Sequence, residues 1–363
     1  RFHVKQLEAT EAVVLACIAG AASFEAAFEA VVAYQQTWNT PLSRFWARSG
    51  AHADPLRPWA LPAVSTELFR SVRLVSRETE PTLVHRTSGT TTGARGEHWR
   101  LSTRCYDAGA QQHFGRMVLR DTARLRFAFL LQPPALAPHS SLSHMAADLA
   151  GTFSSRPPAW LLDADGLSLD ATVETLDTAQ QAAEPTVVLT TAFALRHLLD
   201  ATDRTWRLPP GSRLLETGGV KGRSRVVSRD ELYAEISERL GLPGTMIGSE
   251  YSMTELSSQL YSRRIATQTL DDRLEPPHWC RVFAIDPATG EPAPPGAEGL
   301  LRFVDLANVE TVISVQTADR GIVDAEGFVT LLGRAPGAVP RGCALAAEEL
   351  LGDRGRLRRP REA

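Results

Sequence analysis

Cysteine is scarce here: 363 residues contain four, Cys17, Cys105, Cys280 and Cys343. Their spacing matches no metal-ligand pair, and so few in so long a chain argue against a disulfide framework. They read as reduced thiols, which points to a cytoplasmic protein. Long hydrophobic runs are lacking too. The longest near the N-terminus, residues 12–24, is too short to cross a bilayer and lacks the basic flank and cleavage pattern of a secretory signal. No excess of positive charge exists: 39 Lys and Arg against 42 Asp and Glu give a net charge of -3. Without a basic field, neither nucleic acid nor an anionic membrane surface is expected as a partner. There is no internal repeat.

What is present fits a globular domain. The 43% hydrophobic and 22% charged residues are ordinary values, and the length suffices for one large domain or two modest ones. Ser23 is placed to cap a helix with Phe24, Phe28 and Val31 or Val32 on one face. Short β-rich runs at 126–131, 159–162, 186–189 and 245–248 alternate with helical stretches. Ser228 and Glu231 form a capping-box pattern, and Gly241 with Pro243 ends that helix. The alternation predicts an α/β fold with at least one largely parallel sheet. From Arg281 the character changes. Residues 285–303 read as a turn-rich hairpin, followed by strands near 311–315 and 328–332. The expected division is an α/β core at 1–280, a β-rich subdomain at 281–334, and a short tail at 335–363.

Two distant segments carry chemistry. HRTSGTTTGARGEH (85–98) is rich in Ser, Thr and Gly and bears Arg95. Successive N–H groups in such a turn make an anion nest, and Arg95 adds charge. The same composition also serves plain polar surface loops. It is not a Walker A loop, because the terminal Gly-Lys-Ser/Thr is absent. SEYSMTELSSQ (249–259) sets Tyr251, Thr254 and Glu255 just after an expected strand, where ligands of open α/β sheets collect. An aromatic can stack a base, a hydroxyl can touch a phosphate, and a carboxylate can hold a divalent ion. Together the segments suggest ATP used to activate a carboxylate. Asp319 could accept from a ribose diol or simply cap a turn.

TSGTT (87–91), EYSMTE (250–255), Asp319 and Gly333-Arg334 resemble the core motifs of acyl-adenylate-forming ligases. PHSSLSHM (138–145), TTAFALRHLLD (190–200), LLETGGVKGRSR (214–225) and PRGCALAAEELL (340–351) are similar to the acyl-protein synthetases, the ligase component of bacterial bioluminescence fatty-acid reductase. The resemblance runs from about Phe24 to Leu351. It implies the N-terminal domain of adenylate-forming enzymes, with layered α/β sheets, a β-rich subdomain, and a large C-terminal lid domain missing or vestigial. It implies ATP and Mg2+ as cofactors, a carboxylic acid, most simply a fatty acid, as substrate, and a thioester product delivered to a reductase or carrier protein.

The resemblance also assigns residues. Thr87, Ser88, Gly89, Thr90 and Thr91 would embrace the phosphates. Gly218 and Gly219 would let backbone approach the adenine, on which Tyr251 stacks. Thr254 would bond the α-phosphate, Glu255 would hold Mg2+, and Asp319 would bind the ribose with Arg334 nearby. His139 would border the acyl pocket, although a packed histidine bonded to backbone accounts for it equally. Cys343 would accept the acyl group; a small buried thiol is the plainer alternative. Cys17, Cys105 and Cys280 read as structural. Two departures stand out: Thr92 replaces a usual Gly, and Arg95 stands near the usual Lys, which binds phosphate differently. Two other readings compete. One is a ligase of the phenylacetate-CoA-ligase type, acylating coenzyme A or a carrier. The other is a non-catalytic, degenerate adenylation fold.

Overall fold

The structure, a computed structural model, describes residues 2–50, 52–77, 80–87, 95–218 and 228–336. The chain divides into two compact units, each assembled from segments that are not contiguous in sequence. Among the described residues, one comprises those up to His113, Ser252–Leu260 and 273–336; the other comprises Phe114–Tyr251 and Tyr261–Asp272.

The second unit is built on parallel strands. Arg126–Leu130, Thr186–Thr191, Arg213–Thr217 and Ile247–Tyr251 lie side by side in that order, with the two-residue strand Ala159–Trp160 beyond the first. Every residue of the first three is buried. A strand covered on both faces needs no polar alternation, which is why these runs read as continuous. Helices Leu169–Gln181, Ala192–Ala201 and Arg229–Leu240 supply Leu176, Leu195, Leu198 and Ile236 to a core shared with Leu130, Val188, Leu214 and Ile247. The last helix starts as its sequence predicts: Ser228 accepts from Glu231 N–H while the Glu231 carboxylate accepts from Ser228 N–H. It ends at Gly241, φ +68°, where a Cβ would lie 3.0 Å from Arg207 Cα.

Two strand expectations shift. The run 159–162 splits, because Leu162–Asp163 turns away to pair antiparallel with Gly166–Leu167. The run 245–248 begins later: Gly244–Met246 is a 3-10 turn, and the strand runs Ile247–Tyr251, registered from Leu214 to Thr217 of its neighbour.

In the first unit Ser23 caps helix Phe24–Trp38, accepting from Ala26 N–H, and the helix buries Phe24, Phe28, Val31 and Val32. The β-rich region is an antiparallel succession of Cys280–Ile285, Glu298–Asp305, Ser314–Val323 and Val329–Arg334. The hairpin expected over 285–303 joins the first two. The strand expected at 311–315 starts at Ser314 and is ten residues long. Val64–Ser65 adds to it in parallel, and Leu274–Glu275 pairs with the last strand. A separate hairpin pairs Leu83–Arg86 with Glu97–Arg100.

Candidate functional site

That hairpin carries the hydroxyl-rich loop. Thr87 N–H donates to the Gly96 carbonyl at 2.9 Å, and Gly96 N–H donates to Thr87 Oγ1 at 2.8 Å. The buried Thr87 side chain thus closes the neck of the loop. A Cβ at Gly96 would press on it at 3.1 Å, so the neck wants glycine there. Arg95, exposed, stands at the foot. Ser88, Gly89, Thr90 and Thr91 lie outside the described residues, as do Thr92, Gly219 and Cys343.

Thr254 and Glu255 sit in an irregular turn of the same unit, and both are buried. An irregular segment has no ladder to satisfy its backbone, so side chains must do so. His98 Nδ1 donates to the Thr254 carbonyl at 2.8 Å, and Asn308 Nδ2 to the Glu255 carbonyl at 3.0 Å. The Ser257 and Ser258 N–H groups donate to Asp305 Oδ2 at 2.8 and 2.9 Å, and Ser258 Oγ donates to Asp305 Oδ1 at 2.7 Å. Trp279 Nε1 donates to Ser258 Oγ at 3.0 Å. Burial pushes the Asp305 carboxyl up from its usual range, against these hydrogen bonds, which favour the charged form.

Asp319 and Arg334 face each other across two antiparallel strands, in direct register, with Arg334 Nε 3.0 Å from Asp319 Oδ1. A bulge between Arg320 and Gly321 and a φ of +100° at Gly333 set the local twist. A carboxylate accepts up to about four hydrogen bonds, so an ion pair with Arg334 is compatible with binding a diol.

The second unit holds the other candidates at the carboxyl ends of its parallel strands, where open sheets bind ligands. Glu250 is registered with Thr217 as the last pair, and Tyr251 and Gly218 are the residues that follow it on the two strands. Tyr251 is half-buried; Gly218 is exposed with φ +96°. His139, half-buried, lies in the segment between strand Arg126–Leu130 and helix Ser141–Phe153, just before the capping Ser140. Behind the strand ends, buried Glu216 accepts from Tyr233 Oη at 3.0 Å, and Arg229 Nε lies 3.8 Å away. Burial, then the Glu216 charge, pushes the Tyr233 hydroxyl up.

Thr87, Arg95, Thr254, Glu255, Asp319 and Arg334 are therefore brought into one unit, and Gly218, Tyr251 and His139 into the other. Cys17, Cys105 and Cys280 are buried, and burial raises each thiol's pKa, which disfavours the thiolate. Among the described residues no group of three or more His, Cys, Asp or Glu could hold a metal ion. Mg2+ needs less: it binds through one or two carboxylates and completes its octahedron with phosphate oxygens and water. Buried Glu255 fits that donor set. The braces on this turn were missed in the sequence. His98, Arg100 and Asn308 look like ordinary strand and loop residues, and the signal was available only in the parity of His98 and Arg100 along one strand.

No protein-family model matches the chain, and no curated protein matches it. Solved structures do. An open conformation of 2-hydroxyisobutyryl-CoA ligase in complex with 2-HIB-AMP and CoA aligns at TM-score 0.59 and 14% identity, over 86% of this chain and 75% of that one. The ATP-bound MatB from Rhodopseudomonas palustris aligns at TM-score 0.50 and 17% identity, over 73% of this chain and 50% of that one. This chain thus spans three quarters of the first and half of the second. The fold is mixed α/β and resembles the N-terminal domain of adenylate-forming enzymes. Among the described residues no helix is long and apolar enough to cross a membrane.

Proposed function

We propose that this chain is an ATP-dependent, adenylate-forming ligase that activates a carboxylic acid and passes the acyl group to a thiol. The observation that carries this reading is the Thr254–Glu255 turn, a hydroxyl and a buried carboxylate braced in a polar network. It sits in the unit that also holds the neck of the hydroxyl-rich loop and the Asp319–Arg334 pair. Likeness in fold to a ligase solved with an acyl-adenylate supports it.

In the first half-reaction a carboxylate oxygen attacks the α-phosphorus of ATP. An acyl–phosphate bond forms, the bridge to the β-phosphorus breaks, and pyrophosphate leaves with the electron pair. Thr254 donates to an α-phosphate oxygen, and Arg95 with Ser88, Thr90 and Thr91 offsets charge on the departing phosphates. Glu255 would hold Mg2+, which would supply neutralisation of phosphate charge. Asp319 accepts from the ribose hydroxyls, its orientation fixed by Arg334. The resemblance gives Tyr251 the stacking of adenine, Gly218 and Gly219 the clearance of backbone from it, and His139 the border of the acid.

In the second half-reaction a thiolate attacks the acyl carbon, the thioester forms, and AMP leaves. We assign the thiol to Cys343, as the acyl-protein synthetase resemblance implies, with a fatty acid as substrate and a reductase or carrier protein as recipient. Coenzyme A is the second reading, favoured by the likeness to a CoA ligase. Acid-dependent pyrophosphate–ATP exchange tests the first half. A protein that catalyses no exchange with any acid, across a range of chain lengths and aromatic acids, is not a ligase. Mass spectrometry after incubation with ATP and acid tests the second: acyl mass on Cys343, abolished in Cys343→Ala, supports self-acylation, whereas acyl-CoA formed equally by both proteins supports coenzyme A.

A further inference from the structure

His98 and Arg100 lie two residues apart on strand Glu97–Arg100, so their side chains leave the same face, and each is 1% exposed. The alternate residues face the other way. Glu97 and Trp99 are half-buried, bonded to each other through Trp99 Nε1, with Arg73 over the indole at 3.6 Å. The inward pair reaches the turn. His98 donates to the Thr254 carbonyl; Arg100 Nη2 donates to the Leu256 carbonyl at 3.0 Å, and its Nη1 to Ser257 Oγ at 2.7 Å. Between them Asn308 donates to the Glu255 carbonyl, and Ser257 Oγ donates to Asn308 Oδ1. Three successive carbonyls, of residues 254, 255 and 256, are each held by a different buried side chain. None of these three peptide planes can rotate without breaking a buried hydrogen bond.

The tautomer of His98 follows from its partners. A carbonyl only accepts, so Nδ1 carries the proton. The 2.9 Å bond between Nε2 and Thr311 Oγ1 is then donated by the hydroxyl to a neutral ring. Burial, then the Arg100 charge, holds the imidazole well below its usual range, in keeping with that form. Arg100 is itself oriented from behind: its Nε donates to His85 Nδ1 at 3.1 Å, and its guanidinium lies 4.5 Å from the centre of the Tyr106 ring.

We propose that His98 is a positioning residue: with Arg100 it ties the Thr254–Glu255 turn to the strand that bears the hydroxyl-rich loop, so that phosphate-binding and cation-binding groups keep one spacing. This rests on the ligase reading above. It adds that the spacing is set by side chains of the hairpin rather than by the turn's own backbone. The turn supplies the groups, and the strand supplies their coordinates.

The test uses the whole protein, with His98→Leu, which removes both bonds at similar bulk, and His98→Asn, whose amide can place a donor near the Nδ1 position. Exchange kinetics are read alongside calorimetric binding of ATP with and without Mg2+, and folding is monitored by circular dichroism. His98→Leu is expected to lower kcat for exchange on the order of tenfold to a hundredfold. It should also raise the Mg2+ concentration for half-maximal ATP binding several-fold, on the order of threefold to tenfold, and leave metal-free ATP binding within about twofold. Asn should recover a substantial part of both losses. If His98→Leu does not fold, Thr311→Val is the second variant. It frees Nε2 and should show the same pattern at smaller amplitude. Should a folded variant keep the wild-type Mg2+ dependence, or should Asn behave like Leu, the side chain only stabilises the fold and the proposal falls. A wild-type protein with neither exchange nor ATP binding would instead overturn the ligase reading, whatever the variants do.

Discussion

Glu310 illustrates how one buried acid can colour the pH response of its unit. Its Oε1 accepts from Leu101 and Ser102 N–H at 3.1 and 2.7 Å, and burial, moderated by the Arg100 charge, pushes its pKa up to about 7. A folded pKa above the unfolded one stabilises the fold fully below the unfolded pKa, and that stabilisation is lost as pH rises through about 7. Glu310→Gln keeps the acceptor and removes the charge. Its melting temperature, relative to wild type, should therefore be higher at pH 8 than at pH 5; an unchanged difference would contradict the raised pKa. Thr254 belongs to this scale as well. Losing one preorganised donor to a reacting phosphate typically costs about 3 kcal/mol, so under the proposed ligase reading Thr254→Ala should slow exchange by on the order of a hundredfold, measured at saturating ATP. Thr254 and Glu255 stand out in the sequence as candidates because of their types and order. Their braces do not, since Asn308 and Asp305 lie some fifty positions away and only folding brings them to the turn.

Helix ends were the most legible elements. Ser23, Ser228 and Gly241 act through contacts within three or four residues, so local sequence contains the whole cause. Ser228→Ala removes the acceptor for Glu231 N–H and should cost about 1 kcal/mol, read as a lowered midpoint in urea unfolding. Gly241→Ala should cost at least that much, because the left-handed φ and the close Arg207 backbone both oppose a Cβ. Strand limits were less legible, for a physical reason. A strand ends where its neighbour stops pairing: Ile247–Tyr251 is bounded by Arg213–Thr217, and Leu162 is drawn off by Gly166–Leu167. Those partners are 33 residues away or lie around a turn, and an apolar run alone does not reveal them.

For the whole molecule, the α/β class followed from the alternation of capped helices and apolar runs. The antiparallel region after residue 280 followed from the turn-rich stretch at 285–303. The assembly of each unit from non-contiguous segments was not legible, because Ser252–Leu260 joins residues before His113 and after Arg273 through long-range hydrogen bonds. An exchange screen over acids of varied length and aromaticity addresses this scale: one preferred class, with turnover dependent on Mg2+, is the expected result. Exchange that needs no added acid would mean reversible transfer of AMP to some other group and would contradict this reading.

The Ser257 and Ser258 amides point at a buried carboxylate rather than at a neighbouring strand or at water. In deuterated solvent, then, a stretch with no regular secondary structure should surrender these two hydrogens as slowly as the sheet interior does. Asp305→Asn would leave an amide group to compete for the same space, and those two positions should begin to exchange first.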